Sequence, residues 1–215
     1  GTAVDYNFYI KLVSGNLTKT VPITATVKAP PLNLTEKWNF SEQRNTKTQK
    51  GWDASKVRNF CYKDGKLYCV YDHTNIKVIN AQTGEDLGNL NENSIVGAGT
   101  LKYCDVKCID GHIVACNLAT TNNSNDLRIY AWDSDSAEPY LVLSTTDFQG
   151  MTRMGDCMEL GGSWSDLRVA FCVDQNSQTK IIEYRRNSSG AWSTISTLVT
   201  TDGSTQLATG TTSRA

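Results

Sequence analysis

Seven cysteines, two histidines and a scatter of aspartates are the residues of this 215-residue chain whose types suit chemistry. Cys104, Cys108 and Cys116 could supply three thiolates of a tetrahedral zinc site. Zinc would also take imidazole, and only His73 and His112 exist. The cysteines recur instead as the pairs Cys61/Cys69, Cys108/Cys116 and Cys157/Cys172 on neighbouring strands, where a free thiol behaves as a small buried hydrophobe. Packing is the favoured reading, disulfides the next, and neither a metal nor another cofactor is expected. An odd count leaves at least one thiol free or paired outside the chain. His73 lies in Tyr71-Asp72-His73-Thr74-Asn75, and an Asp-His pair at a loop suits a general base. No Gly-x-Ser-x-Gly elbow accompanies it. Asp53, Asp72, Asp105, Asp156 and Asp174 fall near strand ends, and glycoside cleavage needs two carboxylates at a defined separation that sequence does not measure.

Binding needs less than catalysis: aromatic faces beside amides, guanidinium groups and carboxylates suffice for a sugar or a peptide. The candidate ligand-binding residues are Trp52, Asp53, Arg58, Asp72, His73, Tyr103, Asn123, Arg153 and Asp174. Each is placed on a loop or strand end of one face. Trp132 and Trp192 fall on outer strands and are expected to pack between sheets.

The elements that must position these residues repeat. Phe60-Cys61-Tyr62-Lys63-Asp64-Gly65-Lys66-Leu67-Tyr68-Cys69 and Lys107-Cys108-Ile109-Asp110-Gly111-His112-Ile113-Val114-Ala115-Cys116 each read as strand, Asp-Gly turn, strand. Asp-Gly supplies the positive-φ positions of a tight hairpin. A third copy runs from Cys157 to Val173 with a longer turn through Trp164. A third strand follows each hairpin, at Asn75–Asn80, Asp126–Trp132 and Thr179–Tyr184, and then a fourth. The first cysteines recur at intervals of about 48 residues, within the period of about 40 to 50 of four-stranded propeller blades. The fold class is therefore all-β, with three β-propeller-like four-stranded repeats. Closed rings use about four to eight blades, so a partial propeller is expected. Trp38–Ser41 reads as a lone strand, and the stretch after Gly203 as the entrance to another repeat.

Before the repeats, Tyr6–Val13 and Val21–Val27 form a hairpin around Ser14-Gly15-Asn16. Pro30-Pro31 then stiffens a linker. The boundaries expected are 1–29 for the end of an immunoglobulin-like domain, 30–37 for the linker and 38–215 for the blades. Net charge is -1 and the pI about 6.2, without the cationic excess that a phosphate backbone requires, so nucleic acid is not an expected partner. No apolar run reaches the roughly 18 residues that cross a bilayer. Ser, Thr, Asn and Gly are abundant, as suits short strands and polar turns.

The hairpin, the Pro30-Pro31 linker and the three cysteine-bearing repeats together resemble the uncharacterised surface lipoproteins of Bacteroides-type bacteria, in which an immunoglobulin-like domain precedes a propeller. That resemblance implies an extracytoplasmic location, at the cell surface or in the periplasm, with membrane attachment through a lipid anchor absent from this sequence. The function expected is a binding or adhesion module that recognises a glycan or a surface protein through the propeller's loop face. A polysaccharide-degrading enzyme using carboxylates on that face is the alternative, and a structural spacer the third.

Overall fold

A computed structural model describes residues 4–14, 17–27, 38, 54–93, 95, 97–123, 125–175 and 178–198. The chain divides into two compact units, Gly1–Lys37 and Trp38–Ala215. In the first, β1 (Val4–Ser14) and β2 (Leu17–Val27) pair antiparallel along their full length, from Val4 opposite Val27 to Ser14 opposite Leu17.

The second unit holds three four-stranded antiparallel sheets, and no α-helix occurs among the described residues. Sheet 1 runs β3 (Val57–Lys63), β4 (Lys66–Tyr71), β5 (Asn75–Asn80), β6 (Asp86–Asn89). Sheet 2 contains β7 (Asp105–Ile109), β8 (His112–Cys116), β10 (Leu127–Trp132) and β11 (Tyr140–Thr145) in that order. Sheet 3 runs β13 (Glu159–Ser163), β14 (Asp166–Gln175), β15 (Gln178–Arg186), β16 (Trp192–Leu198). Between the last two sheets, β9 (Ala119–Thr120) pairs with β12 (Arg153–Met154). Both Asp-Gly turns have the positive φ at two successive residues that a tight hairpin requires: 50° and 79° at Asp64 and Gly65, 45° and 84° at Asp110 and Gly111.

The sheets stack face to face. Tyr68, Val70, Ile76 and Val78 of sheet 1 meet Val106, Ile113, Ala115, Tyr130 and Trp132 of sheet 2 in one buried cluster. The opposite face of sheet 2, with Val114, Leu127, Ile129 and Leu143, meets Leu167, Val169, Phe171, Ile182 and Tyr184 of sheet 3 in another. Sheet 2 is thus covered on both faces, which explains why β8 and β10 read as nearly unbroken apolar runs, whereas β14 alternates buried and exposed residues. Trp132 is fully buried with its Nε1 donating to the Asn91 carbonyl at 2.7 Å, and Trp192 packs partly buried against the second cluster.

The first strands of the sheets are neighbours: β3 lies beside β7, and β7 beside β13. The cysteines do not occupy one repeated position. Cys61 pairs across its hairpin with Tyr68, two steps from the turn, but Cys108 pairs with Ile113, one step from it. Because successive strand residues point to opposite faces, the two thiols face each other from adjoining sheets. Cys157 precedes β13, and Cys172 is exposed on β14. The expected strand at Trp38–Ser41 and the expected entrance to a further repeat after Gly203 fall almost wholly outside the described residues.

Candidate functional site

The ends of β3 and β7, the approach to β13 and the far end of β14 enclose a groove of about 540 Å³. Its walls come from all three sheets: Arg58 and Asn59 on β3, Asp105 and Lys107 on β7, Asp174 and Gln175 on β14. His73, from the β4–β5 turn, and the Arg153–Glu159 segment complete them.

Two backbone features shape the groove. Asp72 and His73 both have positive φ, 51° and 58°, and the His73 ring lies against Tyr103 and Cys104, just before β7. Gly155 has φ 101°, and a Cβ there would stand 2.0 Å from the Asn117 carbonyl oxygen, so only glycine lets this segment lie against the end of β8. That close approach brings Arg153 and Asp156 to the rim. Arg153 binds Asp156 in a bidentate pair, Nε to Oδ2 at 2.7 Å and Nη2 to Oδ1 at 2.5 Å.

Each carboxylate of the groove is engaged. Asp105, 1% exposed, accepts from the Val106 and Met158 backbone N–H groups, each at 2.7 Å. Burial pushes its carboxyl up to about 6, against those hydrogen bonds and the Lys107 charge 3.8 Å away. Lys107 donates to Glu159 at 2.8 Å; burial works to lower its ammonium, but this bond and the charges of Asp105 and Glu159 hold it above its ordinary value. Asp174 accepts from the Thr179 hydroxyl at 3.1 Å. Gln175 is held at both ends, accepting from the Thr152 N–H at 2.7 Å and donating to the Arg153 carbonyl at 3.0 Å. Arg58, by contrast, is exposed and makes no ion pair among the described residues.

A cysteine and a histidine meet here, with the Cys104 sulfur 3.4 Å from His73 Nδ1. The same Nδ1 lies 2.9 Å from the Tyr103 carbonyl oxygen. A carbonyl only accepts, so Nδ1 carries the proton and cannot draw one from Cys104. Burial also pushes the Cys104 thiol up to about 12. A reactive thiolate needs the reverse of both conditions, so this pair is structural, and it leaves His73 Nε2 as the ring's second polar atom.

Of the candidates read from the sequence, Arg58, His73, Arg153 and Asp174 come together in the groove. Tyr103 does not join them: it precedes β7 and is fully buried between sheets 1 and 2, its ring 6.2 Å from Trp132. Asp72 points elsewhere, paired with Lys56 at 2.7 Å. Asn123 sits on the 3-10 turn Thr121–Asn123. Trp52 and Asp53 lie outside the described residues. Cys104, Cys108 and Cys116 do not converge, and among the described residues no group of three acidic, thiol or imidazole side chains is arranged to hold a metal. Asp105, Asp156, Lys107, Glu159 and Gln175 join the groove in addition. Asp105 and Asp156 carried a sequence signal as strand-end carboxylates, whereas Lys107 and Glu159 carried none.

No protein-family model matches the chain, and no curated protein matches it. Among solved structures it is similar to a DUF4623 family protein from Bacteroides eggerthii, with a TM-score of 0.53 at 14% sequence identity. The likeness covers 87% of this chain and 45% of that one, so the chain spans less than half the length of that relative. At such identity the likeness is one of fold, and it falls within the bacterial group to which the sequence resemblance pointed.

Proposed function

We propose that the second unit is part of a β-propeller acting as an extracytoplasmic binding module, and that its groove takes an acidic group of a glycan or of a surface protein. The propeller reading is supported by sheets stacked face to face with their first strands adjoining, as blades around an axis would have them. The hairpin would then close an immunoglobulin-like domain, as in the lipid-anchored surface proteins the sequence resembles.

The observation that carries the binding reading is the contrast between Arg58 and the other charges of the groove. Asp105, Asp156 and Glu159 are each committed to a partner, which leaves no evident pair of carboxylates among the described residues of the groove to serve as acid and nucleophile. The Arg58 guanidinium, which makes no ion pair among the described residues, lines the same groove as His73 and offers planar, charged donors to a carboxylate or sulfate. Titration calorimetry with acidic oligosaccharides, neutral oligosaccharides and acidic peptides tests this. Saturable binding of an acidic ligand should weaken about tenfold or more in Arg58→Ala, since a charge-assisted hydrogen bond contributes about 1.5 to 3 kcal/mol. Release of shortened sugar products would favour the enzyme, and silence towards every probe the spacer.

A further inference from the structure

We infer that Cys61 and Cys108 form a disulfide clasp that joins the first strands of sheets 1 and 2. Their sulfurs lie 2.8 Å apart, across the seam where β3 runs beside β7. A small adjustment of the two side chains brings them to the bonded length of about 2.05 Å. The one-residue offset between the two hairpins is what makes the thiols face each other, so the contact follows from strand register on both sides.

The seam is otherwise fixed by directional contacts. Asn59 Nδ2 donates to the Cys104 carbonyl at 3.1 Å, Tyr68 donates to Asp135 at 2.5 Å, and Lys66 pairs with the same carboxylate. Both cysteines are partly exposed, so an oxidant has access, whereas Cys69, Cys104 and Cys116 are enclosed. The pair is also asymmetric. Cys108 is the more acidic thiol, held below its ordinary value by the hydrogen bond from Cys61 and by the nearby Lys63 charge, while that same bond holds Cys61 far above its own.

The oxidant is a disulfide, either a small one such as oxidised glutathione or that of a thiol oxidoreductase. The Cys108 thiolate attacks one of its sulfurs, forming a mixed disulfide and expelling the first thiolate. Cys61 then gives up its proton and attacks the Cys108 sulfur, expelling the second. Two protein thiols are oxidised by two electrons, their two protons pass to the leaving groups, and the oxidant departs as two thiols. The clasp fixes the spacing between Arg58 and Asn59 on one wall of the groove and Asp105 and Lys107 on the other, independently of what the groove binds.

The test uses the whole protein, equilibrated with oxidised glutathione or with dithiothreitol. Thiols counted under denaturing conditions should fall by two from the seven in the chain, and unreduced peptide mapping should recover one cystine peptide joining positions 61 and 108. The reductant should lower Tm by on the order of 10 °C in the wild type and leave it unchanged in the Cys61→Ser/Cys108→Ser double variant. Seven free thiols after oxidation, or a cystine that joins other positions, overturns the clasp. So does a reductant-sensitive Tm that persists in the double variant. Because the oxidised and reduced wild type are compared directly, poor folding of the variant does not rescue or sink the proposal.

Discussion

Asp105 is a side chain whose chemistry the fold has redirected. Its position near a strand end suits it, in the sequence, to a catalytic pair, but the chain spends both of its oxygens on backbone donors, one on its own strand and one at Met158 beside sheet 3. A carboxylate so placed ties two sheets together. Its ionisation has a sign that can be worked out. The folded value is raised from 3.8 to about 6, so between those values the folded chain binds more protons than the unfolded one, and stability contributed at low pH is lost as pH rises through that window. The size of the effect is about 3 kcal/mol for a shift of this order. Asp105→Asn removes the ionisation and keeps the shape, while misdirecting one hydrogen bond at a cost of about 1 to 3 kcal/mol. Urea unfolding should therefore show the variant less stable than the wild type at pH 4, with the gap closing or reversing by pH 7. A gap that is the same at both values would mean that Asp105 titrates as an ordinary surface acid. The sequence could mark Asp105 as a polar residue at a strand end. It could not mark it as buried, because its partners are backbone groups and one of them is 53 residues away.

Strands reveal what covers them through the period of their apolar residues, and this is where the sequence was most legible. The hairpins, both Asp-Gly turns and the third and fourth strands of all three sheets could be placed, because local turn chemistry and β-branched runs specify them. Which face meets which neighbour was less legible. The cysteine interval matched the blade period, yet the thiols sit one residue out of register between sheets 1 and 2, and a slip of one residue exchanges the two faces. The groove was half legible for a related reason: Arg58 and Arg153, at strand ends beside polar connections, stand out, but Lys107 and Glu159 converge with them only through the stacking. The two periods make separate predictions under substitution. Along β10, covered on both sides, Ile129→Ala and Tyr130→Ala should each cost about 2 to 5 kcal/mol, although they are adjacent and face different sheets. Along β14 the cost should alternate, with Phe171→Ala costing about 3 to 5 kcal/mol and Arg168→Ala, on the exposed face, about 0.5 or less. Denaturant midpoints across the four variants measure this. Equal costs at Phe171 and Arg168 would show that something also covers the outer face of sheet 3.

At the scale of the whole second unit, no sheet is self-sufficient. A four-stranded meander by itself buries neither face, and sheet 2 has two apolar faces, so its stability depends on both neighbours. The interface with sheet 3 is the larger cluster, and it includes Phe148, Met151, Met154 and Met158 from the connection between the sheets. Its unbranched methionines fill an irregular space that strand side chains leave open. Removal of sheet 3 would expose Val114, Leu127, Ile129 and Leu143 together, a contiguous apolar patch of the kind that drives association. A chain ending at Gly150 should therefore aggregate or bind a hydrophobic dye, and should lose the sharp melt of the full chain even though sheets 1 and 2 keep every strand. Thermal melting followed by circular dichroism, with dye fluorescence alongside, distinguishes the outcomes. An intact cooperative melt without dye binding would mean that sheets 1 and 2 form an independent body. Stacking would then be a sum of separable pairs, as in an open repeat array, rather than one core shared by three sheets.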